Sequence, residues 1–221
     1  MIKVENINVF NFDGALRGMR NPLESWDQSD SYWKYNSELR SGMEYIIGEK
    51  DMEVALKLIK AGSDHSKFIR QIFVSMDITA PMSWWWDFDT YKVSTVRNST
   101  SRMHKLGTRL LTIDDFSYDN QDGEINITPL RKYVMDDLNK RIVEYQHLKE
   151  TDIKSAMKLW REIVFDSPQN YNFLSTWTGN YENLRNVYHG RKNHKQREFP
   201  DFCGVIEGLP YSQLITVERK K

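Results

Sequence analysis

Residues 80–106 read Ala80-Pro81-Met82-Ser83-Trp84-Trp85-Trp86-Asp87-Phe88-Asp89-Thr90-Tyr91-Lys92, then Val93-Ser94-Thr95-Val96-Arg97-Asn98-Ser99-Thr100-Ser101-Arg102-Met103-His104-Lys105-Leu106. The three consecutive tryptophans would bury ~150–250 Å² each if fully enclosed. Adjacent side chains on a helix or a strand cannot all point one way, so at least one ring must face a different layer, a ligand or a partner chain. The hydroxyls, amide and cations that follow suit a polyanionic, polyhydroxylated ligand such as a nucleotide. A solvated loop after a buried helix has the same composition, and on composition alone that reading stands first.

Outward from this stretch, the chain has 221 residues, enough for one domain or two small ones with a substantial core. Basic and acidic residues balance at 31 each, so no global field argues for DNA or a membrane surface. Aromatic content of 13%, with seven tryptophans, speaks for a packed protein and against disorder. Cys203 stands alone, which excludes an intrachain disulfide and a multi-cysteine zinc site. The N-terminus lacks the basic start and apolar core of a signal peptide, and no apolar run approaches a bilayer span. A soluble, cytoplasmic protein is expected.

Residues 2–10 alternate apolar and polar with a slip at Glu5-Asn6, which predicts a strand. Residues 11–42 are turn-rich, and a short helix over 13–19 is expected there within otherwise irregular structure. Helix is predicted over 51–61, with Gly62 as the stop. Period two, broken at Arg70, predicts a strand over 68–78. Pro81 sits well at the first turn of a helix over 83–92, and a further helix is expected near 101–111. Residues 114–126 read as an acidic surface loop. Helical spacing recurs over 130–148 and after Thr151, a possible cap, with Ile153, Met157, Trp160 and Val164 on one face. Helices over 177–189 and 199–207 and a terminal strand over 211–217 complete the reading. The expected fold is α+β with more helix than strand, as one domain over residues 1–221.

Spacing alone gives little chemistry. Asp89 and Lys92 stand at the i,i+3 spacing of an ordinary surface ion pair, beside Asp87. The histidines show no metal spacing beyond His189 and His194, five apart, so no metal is expected. Arg185, Arg191, Lys192, Lys195 and Arg197 form a basic cluster. It is either a helix end favoured by the macrodipole or a phosphate site.

Two stretches together resemble the flavin-dependent thymidylate synthases, over roughly residues 50–207. Asp64-His65-Ser66, the strand after it and Ala80-Pro81 match the preamble of that family's fingerprint. The fingerprint itself, Arg-His-Arg followed by Ser, Asn, Glu, Ser and Arg-Tyr, is replaced. Thr90-Tyr91-Lys92 stands for Arg-His-Arg. Thr95, Arg97, Asn98 and Thr100 follow at the Ser, Asn, Glu and Ser steps. Arg102 keeps the Arg, Met103 takes the Tyr position, and Asp87 replaces a preceding Gln. The second stretch is closer, with Thr178-Gly179-Asn180 opening a helix, then Asn186, Arg191, Gln196 and Glu198, and with Arg161 and Pro168 upstream.

The resemblance implies a homotetramer with FAD and dUMP sites between subunits. Its reaction would pass a methylene from methylenetetrahydrofolate to C5 of dUMP, reduced by flavin hydride with NADPH as electron source. It assigns His65, Thr90, Tyr91, Lys92, Asn98, Asn180 and Asn186 to the flavin. It assigns Asp87, Thr100, Ser101, Arg102, Arg161 and Arg191 to the nucleotide. No membrane and no nucleic-acid polymer enters this picture. The loss of Arg-His-Arg removes charge and a bidentate fork, and Asp87 puts an anion where a dianionic nucleotide approaches. A non-catalytic member of the same fold, binding a nucleotide or a partner protein through Trp84–Trp86, is the alternative.

Overall fold

The computed structural model describes residues 2–38 and 42–219. Its first strand, β1 (Lys3–Phe10), breaks register between Glu5 and Asn8, where Asn6 takes φ 51°. The slip in the alternation is therefore a β-bulge. Helix α1 (Phe12–Arg20) buries Phe12, Ala15, Leu16 and Met19, the i, i+3, i+4, i+7 stripe of an amphipathic helix.

The stretch expected to be irregular after α1 is more ordered than its composition suggests. Two 3-10 turns, Asn21–Leu23 and Trp26–Gln28, lead into β2 (Tyr32–Tyr35), which pairs antiparallel with β3 (Met43–Ile46). Residues 39–41 of that stretch lie outside the described residues. All of β2 is exposed, so no buried face imposed an alternation to read. What holds the segment is a buried charge network. Asp51, fully buried in α2 (Glu49–Ala61), accepts from Arg20 and from the hydroxyls of Ser29 and Ser31. Gly62, at φ 123°, ends α2 as expected.

The strand predicted over 68–78 is displaced. Lys67–Gln71 is a 3-10 turn, and β4 runs Phe73–Pro81. Phe68, Ile69 and Ile72 are all buried, a spacing that a strand cannot present to one side, and Arg70 marked the break. Pro81 ends β4, and α3 (Met82–Phe88) passes into a 3-10 turn at Asp89–Tyr91. The hydroxyl-rich run then contains β5 (Val96–Ser99), which was read as loop, and only the short α4 (Arg102–Lys105) of the expected helix. Gly107, at φ 92°, turns the chain away at once.

In the loop over 114–126, Phe116 and Tyr118 are buried and stacked at 5.0 Å, so it is anchored rather than merely solvated. Helices α5 (Pro129–Thr151) and α6 (Ile153–Asp166) follow. Asp152, not Thr151, caps α6, and the Thr151 hydroxyl donates to the His147 carbonyl instead. Ile153 and Met157 are exposed, while Ala156, Ile163 and Val164 form the buried side with Trp160 packed against it.

The helix expected over 177–189 begins later. β6 (Asn172–Asn180) takes Trp177, with Ser175, Trp177 and Gly179 buried at period two. Asn180 and Asn183 then cap each other to open α7 (Tyr181–Arg191). Helix α8 (Glu198–Glu207) is as expected. The terminal strand is instead α9 (Gln213–Thr216), where the adjacent Leu214 and Ile215 are both buried.

The fold is α+β with more helix than strand. The main sheet has order β1-β4-β6-β5, every pairing antiparallel. Val74, Met76, Ile78 and Trp177 face a core shared with α1, α2, α3, α7 and α8. Thr79 pairs with Leu174 and Asp77 with Thr176, all outside the buried core and on the opposite, open face. A second apolar cluster joins Leu138 and Ile142 of α5 to Ile163 and Val164 of α6, with Leu106, Leu111, Phe116 and Tyr118. Among the described residues no helix is long and apolar enough to cross a membrane.

Candidate functional site

Helix α3 separates the three tryptophans as adjacent positions must. Trp84 is fully buried, stacked on Phe88 at 4.4 Å and flanked by Phe199 and Phe202 at 5.4 Å each. Burying such a ring is worth roughly 4–6 kcal/mol before entropy is subtracted. Trp85 is also buried, and its indole N–H donates to the Phe173 carbonyl at 3.3 Å. Trp86 is 54% exposed, so of the three it alone is open to a ligand or a second chain.

Between α3 and the turn from β5 to α4 lies a cleft of about 400 Å³. Trp85 and Trp86 form one side, and Asp89, Arg97, Thr100, Ser101 and Arg102 line the rest with Phe173. Arg97 lies 4.4 Å over the Trp85 ring and bonds Asp89 at 2.8 Å. Arg97, brought across by β5, is therefore the direct partner of Asp89, and Lys92 acts on that carboxylate only through its charge. Partial burial pushes the Asp89 carboxyl above its ordinary value, against the pull of Arg97 and Lys92.

Arg102 is the other cation of the cleft. Its Nη1 donates to Ser167 Oγ at 3.1 Å and touches Met82 Sδ at 3.7 Å. Ser167 is buried and donates in turn to the Val164 carbonyl at 2.8 Å, so the end of α6 fixes the guanidinium. Among the described residues no carboxylate pairs with Arg102, which leaves its remaining donors for an incoming anion. Ser101 Oγ caps α4 by accepting from the His104 amide at 3.2 Å. The Thr100 amide donates to the Leu174 carbonyl, pinning that residue beside the sheet edge with its side chain exposed.

Other expected site residues gather elsewhere. Arg191, at the end of α7, donates to the Tyr91 hydroxyl at 3.1 Å and lies 3.8 Å from the Asp87 carboxylate. Its guanidinium also stacks 5.1 Å from the Phe199 ring. Thr90 donates its hydroxyl to the Asp87 carbonyl. Asp87, Thr90, Tyr91 and Arg191 thus gather beside α3. Asn180 is buried as the α7 cap. Arg161 is exposed on α6, stacked 4.6 Å from Phe165, and does not line the cleft.

Lys92, Asn98 and Asn186 are exposed. Asn98 pairs with Thr176, on the open face of the sheet. His65 is exposed in the turn after α2. Its neighbour Ser66 accepts from Arg219, which also bonds Glu182, one helical turn before Asn186. Through Arg219 and Glu182, His65 and Asn186 lie toward the same side of α7.

The basic cluster disperses. Arg185 is buried and donates to the Ile215 carbonyl, Lys192 pairs with Glu218, and Arg197 lies near Asp119 and Asp201. His189 approaches the Ile215 carbonyl, while His194 packs 5.0 Å from Phe199. Among the described residues no three side chains are grouped to hold a metal.

Reading the sequence missed Asp89, Trp85 and Phe173 as cleft residues, and named Arg97 only among the cations suited to a polyanionic ligand. The signal present was the alternation Arg97, Ser99, Ser101 along an edge strand too short to stand out.

No family model matches the chain, and no curated protein matches it. Solved structures do. The crystal structure of thymidylate synthase X from Helicobacter pylori with FAD and dUMP superposes with a TM-score of 0.68 at 16% identity, covering 98% of both chains. A second structure of the flavin-dependent thymidylate synthase of Helicobacter pylori, also complexed with FAD and dUMP, gives 0.68 at 15% identity over 99% of both. At that identity the likeness is one of fold.

Proposed function

We propose that this chain, folded like the flavin-dependent thymidylate synthases, binds a pyrimidine deoxynucleotide in the cleft between α3 and the β5–α4 turn. The observation that carries the reading is Arg102: a guanidinium anchored by Ser167, free of carboxylate partners, beside the hydroxyls of Thr100 and Ser101. Arg presents a planar fork of donors that suits a phosphate. Trp86 offers an exposed ring for the base at the other side of the cleft. Arg97 is held in place by Asp89 and Trp85. Similarity in fold to two structures holding dUMP supports the choice of ligand. Isothermal titration with dUMP tests it: saturable binding in the native protein, lost in Arg102→Ala, is expected. No heat at millimolar dUMP would overturn it.

One-carbon transfer from methylenetetrahydrofolate to C5 of dUMP is the second reading, favoured by the same likeness in fold. When bound, FAD would supply the hydride, with NADPH as its electron source. The residues the resemblance assigns to flavin do not fit that group within one chain. Tyr91 is taken by Arg191, Thr90 by a backbone carbonyl and Asn180 by its capping role. Asn98 lies on the open face of the sheet and His65 in the turn after α2, and in this reading a second copy, in a homotetramer, completes the flavin site. A purified protein with flavin absorbance, tetramer mass by light scattering and dTMP formation would support this reading. A colourless monomer without turnover would remove it and leave nucleotide binding standing.

A further inference from the structure

A second cleft, of about 350 Å³, opens on the other side of Thr100, which lines both. It lies between the open face of the sheet, at Thr79 and Leu174, and the segment carrying Lys105, Thr108 and Arg109. The two clefts adjoin at that one threonine, and together they offer more room than a mononucleotide needs.

The charges along the groove are unevenly compensated. Arg109 is held bidentately by Asp115, at 2.8 and 2.5 Å, so it is committed to structure. Lys105 has no ion-pair or hydrogen-bond partner for its ammonium among the described residues, and it stands one helical turn from Arg102. The two free cations therefore sit on either side of the Thr100 junction. The rest of the second cleft combines an aromatic wall, Tyr171, with threonine hydroxyls and the exposed carboxylate of Asp114. Such a lining suits a flat ring and a hydroxylated sugar.

We infer that the groove takes a two-part ligand: a pyrimidine deoxynucleotide whose phosphate, at Thr100 and Arg102, is esterified to a second nucleoside lying in the Lys105–Tyr171 cleft. The inference rests on the nucleotide reading above and extends it. The base of the first nucleoside occupies the Trp86 cleft, Arg102 holds the phosphodiester at the Thr100 ridge, and Lys105 meets the second nucleoside beyond it.

Titration with two probes, dUMP and the dinucleoside monophosphate thymidylyl-(3′→5′)-deoxyuridine, separates the two ideas. Binding of the dinucleoside at least tenfold tighter than dUMP is expected. Lys105→Ala, which removes an exposed side chain, should abolish that gain while dUMP affinity stays within about threefold. Tyr171→Phe, which keeps the ring, should preserve most of the gain. If dUMP binds and the dinucleoside binds equally or more weakly, the two-part ligand is overturned and the nucleotide reading survives. If neither binds, both fall. If FAD displaces dUMP from the groove, the second cleft belongs to a flavin dinucleotide and the inference is likewise overturned.

Discussion

Replacing Asp51 by alanine should destabilise the chain more than any single change in the cleft. The carboxylate is fully buried and accepts from Arg20 Nε at 2.8 Å and Nη2 at 2.7 Å. Ser29 and Ser31 add hydroxyl donors at 2.5 Å each. Removing it strands a guanidinium that is 6% exposed and takes the acceptor from the Ser29 and Ser31 hydroxyls. Breaking a buried pair from one side costs about 3–5 kcal/mol, because an uncompensated charge is left behind. At roughly 2–4 °C per kcal/mol for a chain of this size, the midpoint should fall by about 6–20 °C. Thermal denaturation followed by circular dichroism reads this directly. Asp137→Ala, which removes a half-exposed partner of Arg141, is the control and should cost under about 1 kcal/mol. A drop below about 2 °C for Asp51→Ala would refute the claim that this network holds residues 21–31 to α1 and α2.

Arg102→Lys keeps the charge but loses the fork. A lost charge-assisted hydrogen bond is worth about 1.5–3 kcal/mol, so dUMP affinity should fall about 10- to 150-fold by calorimetry. Trp86→Ala removes the exposed ring, and base–aromatic stacking of ~1–3 kcal/mol predicts about 5- to 150-fold weaker binding with an unchanged melting midpoint. His189 is held below its ordinary value by burial and by Arg185. The unfolded chain therefore takes up that proton first, and stability falls as pH drops from about 6.5 through the depressed folded value. His189→Gln should flatten that slope in urea titrations between pH 7 and 5, and an unaltered slope would contradict the assignment.

How much of this was legible depends on what buries a residue. α1, α2, α5 and α8 announced themselves because one face of each meets a core and the other meets water. The β-bulge in β1 showed as a slip in alternation for the same reason. β2 and β5 did not, since an exposed four-residue strand has no buried side to print a period on the sequence. β6 was read as the start of a helix because Trp177 and Tyr181 also stand at helical spacing. Gly179 marked the true pattern: a Cβ there would come within 2.3 Å of the Trp177 ring, two residues away on the same face of the strand. At the cleft, Arg102 was legible from the resemblance and Trp86 from three adjacent rings. Asp89 and Arg97 were not, because their contact depends on a 3-10 turn and a strand pairing that only the fold brings together.

A crystal structure of the protein grown with dUMP tests the central claim most directly. The account predicts the phosphate within hydrogen-bond distance of Arg102 Nη2 and Thr100 Oγ1, with the pyrimidine ring against Trp86. Nucleotide bound instead at Arg191 and Tyr91, with the α3 cleft empty at saturating dUMP, would contradict it.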